Sequence, residues 1–241
     1  MDIPKINKYE IMIGIILGTR PELIKLFPLI EKLKKKKINF KIIHTGQHYS
    51  KNLNESIIKN LNNIKIDYYL NSRSHPHTEQ VCLMMQKIDR IINKNNFKII
   101  FVYGDTNSAL AGALSVAKNK KIKLVHLEAG LRSFEKKMPE EINRTIIDHI
   151  SDYLFTPTKL ATRFCLNENI SKNKIIYTGN LISDSIRIIK KRIGDFKTID
   201  KYNFTKNNYI LVTFHREENL NDYNRLISIV KLLNTLSNYL K

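Results

Sequence analysis

Seven short apolar runs, each followed by a segment with helical spacing, dominate the chain as far as residue 180. They fall at residues 11–17, 39–45, 64–70, 98–103, 122–127, 153–156 and 174–177. Runs such as Ile11-Met-Ile-Gly-Ile-Ile-Leu17 are continuously apolar rather than alternating, the pattern of a strand buried on both faces. Strands alternating with helices make βαβ units, and these close into an α/β fold, a doubly wound parallel sheet with right-handed crossovers. No repeat at a solenoid period competes with that reading.

The segments between the runs carry helix signals. Thr19 suits an N-cap, Pro21 the first helical position and Glu22 the first turn, with Leu23, Phe27, Ile30 and Leu33 on one face as far as about Lys36. A helix is expected over residues 54–61. Thr78 is expected to cap the next, in which Val81, Met84, Ile88 and Ile91 recur at helical spacing. Residues 107–118 are rich in alanine around Gly112, small enough to pack closely on a sheet. Further helices are expected over residues 140–149, after Pro157, and from Asn180 to about Arg192.

The domain organisation follows: residues 1–193 form one Rossmann-like domain, residues 194–208 a polar linker, and residues 209–241 the start of a second, incomplete one. That last part holds one buried-type strand over residues 209–214 and one helix over 222–240. Such a strand needs neighbours on both sides. The chain is therefore expected to be a fragment, or to be completed by another chain.

Composition narrows the function classes. The formal net charge of +19 raises the question of nucleic acid. The lysines are spread along the whole chain, and the one compact run, Lys34 to Lys37, closes a helix where cations suit the dipole. No aromatic–basic interleaving accompanies it, so no nucleic-acid partner is expected. No run is long enough to span a bilayer, and Met1-Asp-Ile-Pro-Lys5 lacks the shape of a signal peptide. Cys82 and Cys165 fall on expected helices and read as reduced core thiols of a cytoplasmic protein. His75 and His77 flank Pro76, too few ligands for a metal site. No GxGxxG, P-loop or Gly-x-Ser-x-Gly motif is present.

Charged groups fall just past the strand ends: Arg20 and Lys25; Gln47 and His48; Asp105; Glu128, Arg132, Glu140 and Arg144; Asn180; His215 and Arg216. In a parallel sheet these converge on one edge, where ligands bind. Cations there, with helix N-termini, make an anion site, and carboxylates there can move protons. Bland readings stand beside these. Arg20 and Lys25 fit a solvated helix start. Asp105 fits a helix cap as well as an acid or base. Glu140, Arg144 and Asp148 fit an i, i+4 ladder, and His215 a surface histidine. Glu128, directly after a buried strand, is harder to explain structurally.

Gly18-Thr-Arg-Pro-Glu22, His44-Thr-Gly-Gln-His48, Tyr103-Gly-Asp-Thr106, His126-Leu-Glu-Ala-Gly-Leu-Arg-Ser133, Met138-Pro-Glu-Glu-Ile-Asn-Arg144, Thr178-Gly-Asn180 and Thr213-Phe-His-Arg-Glu-Glu-Asn219 occur in that order. The set resembles the non-hydrolysing UDP-N-acetylglucosamine 2-epimerases from about residue 11 to the end. The resemblance implies two Rossmann-like domains of glycosyltransferase-B type with a UDP-sugar between them, no cofactor, and a homodimer. It implies interconversion of UDP-GlcNAc and UDP-ManNAc by anti elimination of UDP and re-addition through 2-acetamidoglucal. By motif position, Asp105, Glu128, Glu140 and His215 are the catalytic candidates, while Arg20, Lys25, Arg144 and Asn180 bind substrate. Gln47 and His48 fall where a second, activating UDP-GlcNAc binds. Members of that family run much further. The part beyond carries a phosphate loop, a ribose-binding acid and the uracil pocket, so weak UDP binding and little turnover are expected of this chain uncomplemented. Two alternatives stand: an epimerase for a modified sugar such as a UDP-2,3-diacetamido uronate, and a non-catalytic UDP-binding remnant.

Overall fold

The computed structural model describes residues 11–47, 64–72, 75–193, 202–205, 208–214, 219 and 222–239. The helix expected over residues 54–61, and the candidates His48 and His215, lie outside the described residues, as does most of the expected linker. The chain divides into two compact units, Met1–Lys190 and Lys191–Lys241.

In chain order the elements are β1 (Met12–Leu17), α1 (Arg20–Lys35), β2 (Asn39–His44), β3 (Tyr68–Tyr69), α2 (His77–Lys94), β4 (Phe97–Tyr103) and α3 (Asn107–Ala117). Then come β5 (Lys123–Leu127), α4 (Pro139–Ile150), β6 (Tyr153–Thr156), α5 (Lys159–Asn167), β7 (Ile175–Tyr177), α6 (Leu181–Ile193) and α7 (Tyr223–Tyr239). The seven strands pair in parallel in the order β3-β2-β1-β4-β5-β6-β7. This is the doubly wound α/β sheet expected from the alternation, and its strand order reverses between β1 and β4.

Because successive strand side chains point to opposite faces, each apolar run feeds two cores. Ile15, Leu17, Ile42, Phe101, Tyr103, Val125 and Leu127 meet Leu23, Phe27 and Ile30 of α1, with Leu181 and Ile188 of α6 against them. Ile16, Ile43, Ile100, Val102 and Leu124 face the other way, onto Met84 and Ile88 of α2, Ala113 of α3 and Ile147 of α4. α1 carries Pro28 in its interior. Proline lacks the N–H that would bond the Ile24 carbonyl; the Ser185 hydroxyl of α6 donates to that carbonyl instead, at 2.7 Å. One helix thus fills the gap left in another.

Several expectations change. The strand over residues 64–70 shrinks to Tyr68–Tyr69, because the Asp67 carboxylate takes the Ile42 N–H at 2.9 Å where a backbone carbonyl would continue the ladder. Thr78 is inside α2 rather than its cap; the chain enters from Pro76, whose carbonyl accepts from Gln80 N–H at 2.9 Å. Cys165 is a buried core thiol as expected, but Cys82 is exposed. Residues 209–214 form no strand and are exposed, Leu211 to 82%. A strand meant for burial on both faces has no partner among the described residues, and α7 buries no side chain. No helix among the described residues is long and apolar enough to cross a membrane.

Candidate active site

The strand-order reversal leaves the β1–α1 and β4–α3 loops side by side at the carboxyl edge of the sheet, the place where open α/β sheets bind ligands. Thr19 caps α1, and Glu22 completes a capping box: its Oε2 accepts from the Gly18 and Thr19 N–H groups, both at 2.7 Å, and from the Thr19 hydroxyl at 3.0 Å. Its Oε1 accepts from the Thr106 hydroxyl at 2.6 Å, and Thr106 in turn caps α3. Glu22 is buried, and burial raises its pKa above the ordinary 4.5 against the pull of Thr106, Gly18 and Thr19. Gly18 permits this closeness, since a Cβ there would lie 1.8 Å from Ser108 Oγ. Gln47, from the loop after β2, accepts from the Ser108 N–H at 3.0 Å and hydroxyl at 2.7 Å, so it closes the start of α3. Arg20, the first residue of α1, is exposed.

Glu128 follows the last residue of β5 with φ +68°, a left-handed conformation that costs a non-glycine residue of order 1 kcal/mol. Strain of this kind clusters at functional sites. Its carboxylate oxygens lie 3.0 and 3.1 Å from Lys25 Nζ, and the Tyr103 hydroxyl donates to Oε2. Lys25 Nζ also sits 5.2 Å from the centroid of the Tyr103 ring. Burial, and after it the Glu128 charge, push the Tyr103 phenol well above the usual tyrosine range. A cavity of about 210 Å³ opens beside this group, walled by Leu29, Phe101, Leu127 and Phe155, with Asn180 and Asp184 on its polar side.

Asp105 pairs with Arg144, which also reaches Glu141 at 3.0 Å. Asp105 is therefore not the cap of α3, a task that falls to Thr106. The expected ladder of Glu140, Arg144 and Asp148 does not form, because Arg144 turns to Asp105 and Glu141 while Asp148 faces the core. Glu141 is buried and accepts from the Ser133 and Phe134 N–H groups at 3.0 and 2.9 Å. Burial alone would raise its pKa, but those two N–H groups, the Ser133 hydroxyl and Arg144 hold it below the ordinary value. Glu140, beside it in the first turn of α4, is exposed. Asn143 donates to the Asp105 carbonyl at 2.8 Å, which fixes the loop's height over α4.

Beneath both loops lies a fully buried pair. His126 Nδ1 is 2.6 Å from Asp148 Oδ1, and its Nε2 donates to the Gly104 carbonyl at 2.8 Å. Asp148 also accepts from Gly130 N–H at 3.0 Å and Arg132 at 2.7 Å. Burial would raise the Asp148 pKa, but His126 and Arg132 outweigh it and hold the group below the ordinary 3.8. Arg132 goes on to Glu168 at 2.6 Å through both Nε and Nη2.

The structure thus joins Lys25 to Glu128 and Arg144 to Asp105, the two carboxylates following the adjacent strands β5 and β4, and puts Asn180 on the same cavity as Glu128. It leaves Arg20 and Glu140 exposed. Glu22, Tyr103, Glu141, His126 and Asp148 are the members that sequence reasoning missed as parts of the site. The Thr-x-x-Glu spacing at residues 19–22 is a capping-box signature that pointed to Glu22. Two-residue alternation in β4 put Tyr103 on the face of Phe101. Nothing in the sequence pointed Asp148 at His126. Cation–carboxylate pairs at this edge suit a phosphorylated substrate on which protons are moved.

The sequence profile of the UDP-N-acetylglucosamine 2-epimerase family matches residues 31–241. The UDP-N-acetylglucosamine 2-epimerase of Methanococcus maripaludis is 46% identical over 230 residues, 93% of this chain and 62% of that protein. That of Methanocaldococcus jannaschii is 44% identical over 223 residues, 91% of this chain and 60% of that protein. The crystal structure of the M. jannaschii enzyme with UDP-GlcNAc and UDP superposes with a TM-score of 0.87 at 43% identity, covering 95% of this chain and 64% of that one. The chain spans about three fifths of the length of the relatives it matches.

Proposed function

The chain belongs to the UDP-N-acetylglucosamine 2-epimerase family, and on that premise we propose that it carries the acid–base half of an enzyme that interconverts UDP-GlcNAc and UDP-ManNAc. The observation that carries this reading is the pair of cation–carboxylate contacts, Lys25–Glu128 and Arg144–Asp105, whose carboxylates follow the neighbouring strands β5 and β4, with Glu128 lining an apolar cavity.

The chemistry follows from those groups. In the forward direction the C2–H bond breaks, its proton passes to a carboxylate, a C1–C2 double bond forms and the C1–O electrons leave with UDP. Return of UDP with protonation of the opposite face of C2 gives the epimer. Asp105, Glu128 and Glu140 supply the proton transfers in this reading. Lys25 and Arg144, together with Arg20, Asn180 and His215, bind the substrate and hold the departing diphosphate, whose developing charge is stabilised by cations already in place. Gln47 and His48 take the second, activating UDP-GlcNAc. The enzyme acts as a homodimer in the cytoplasm. UDP-GlcNAc stands ahead of a 2,3-diacetamido uronate because the 46% and 44% identical relatives both carry the UDP-N-acetylglucosamine name.

The test is a coupled assay for UDP-ManNAc on the chain complemented with the C-terminal remainder of the Methanocaldococcus jannaschii relative, supplemented with UDP plus 2-acetamidoglucal to drive the second half-reaction, with UDP affinity measured by calorimetry on the same samples. Asp105→Asn and Glu128→Gln are expected to keep UDP affinity within a few-fold and to lose about a hundredfold or more in turnover. If both variants turn over like wild type, or if wild type binds no UDP, the reading fails.

A further inference from the structure

We propose that Tyr103 is the positioning residue for Glu128, and that its hydroxyl, by occupying Oε2, leaves Oε1 as the oxygen that faces the sugar. The inference rests on the epimerase reading and concerns the division of labour within it.

The argument begins with the cost of a tyrosine at this position. Tyr103 is 2% exposed and lies in the same core as Phe101, two residues earlier on the same face of β4. Phenylalanine would fill that space, and a buried hydroxyl is tolerated only with a partner. Strand register supplies one. Tyr103 pairs with Leu127, so Glu128 begins the turn directly beside it, and the left-handed φ folds the carboxylate back over the phenol.

The donors are distributed unequally. Oε2 receives both the Tyr103 hydroxyl and Lys25, while Oε1 receives Lys25 alone at 3.0 Å. A carboxylate oxygen has two lone pairs, so Oε1 keeps one for a proton arriving from substrate. The groups facing Glu128 are Lys25 from α1, Tyr103 from β4, and Asn180 and Asp184 across the cavity. Glu22 and Asp105 act on the Tyr103 phenol at longer range, after Glu128. Lys25 stacked on the ring and bonded to the carboxylate locks all three side chains, and each constrains the others' rotamers.

The experiment uses the full chain labelled with ¹³Cζ-tyrosine. The Tyr103 resonance is assigned by its loss in Tyr103→Phe. In wild type it is expected to stay protonated beyond the pH at which ordinary tyrosines titrate, about 10. In Glu128→Gln its titration is expected to move down towards that range. In the epimerase assay Tyr103→Phe, which keeps the ring, the packing and the lysine contact, is expected to lower kcat about tenfold with KM unchanged, the loss of one hydrogen bond to a charged group. A Tyr103 titration indifferent to Glu128→Gln overturns the proposal whatever the enzyme does. So does a Tyr103→Phe variant with wild-type kcat. If the resonance responds as expected while wild type, complemented as above, forms no UDP-ManNAc, the contact stands and the epimerase reading falls.

Discussion

His126 and Asp148 are wholly buried and make no contact with the cavity, yet they carry much of what shapes the site. Removing one partner of such a pair leaves the other uncompensated. His126→Leu and Asp148→Asn are each expected to lose about 3–5 kcal/mol in urea unfolding. The pH dependence has a definite sign. A carboxyl held below its ordinary value in the folded state stabilises the fold above the unfolded value, near 3.8, and gives that up as pH falls towards its folded value. Stability is expected to drop below about pH 4, and Asp148→Asn to flatten that limb. Glu22 runs the other way. Its raised pKa favours the neutral form, so its contribution is full below the unfolded value of 4.5 and is lost as pH rises through the folded one. The stability gap between wild type and Glu22→Gln is expected to be widest at low pH and to narrow upwards. At this scale the sequence exposed residue types better than partners. Asp105 and Glu128 stand out beside strand ends, but that Arg144 would leave its own helix for Asp105 depends on a loop conformation that no spacing encodes.

Elements were more legible than residues, because each has a local cause. Continuous apolar runs mark the central strands, and Thr19 marks a helix start that the structure bears out. The failures are also local. Pro76 displaces the expected cap at Thr78, and an aspartate side chain delays the start of β3. Pro28 in the middle of α1 works because α6 delivers a hydroxyl to the freed carbonyl, a tertiary compensation invisible in either helix alone. Ser185→Ala is expected to cost about 1–3 kcal/mol by leaving that carbonyl unmet, read as a lower midpoint of thermal unfolding. Gly130 is a second such point. Its φ is +78°, and a Cβ there would fall 2.4 Å from the Ala161 carbonyl oxygen. Gly130→Ala is expected to lose about 3 kcal/mol and, by shifting the turn that follows Glu128, to weaken the proposed epimerisation more than the proposed UDP binding.

For the whole molecule, the alternation of runs was enough to give the parallel α/β sheet, and the sheet was enough to bring loops after β1, β4, β5 and β7 to one edge. What it did not give was the state of residues 209–214, whose apolar pattern reads as a strand but whose side chains are exposed. A pattern states what a segment is suited to bury; pairing needs another strand to be there. The charge of +19 was likewise legible as lysine spread along the chain, and the cations that matter, Lys25 and Arg144, are those already matched to carboxylates.

The imidazole under the two loops has a mechanical consequence. One ring nitrogen grips the Gly104 carbonyl and the other grips Asp148, which also holds the Gly130 amide. The loop bearing Asp105 and the turn bearing Glu128 are thereby lashed to one helix, like two teeth set in a single jaw. Neither tooth can swing without dragging the other, so whatever arrives at this edge meets a gap whose width was fixed when the chain folded.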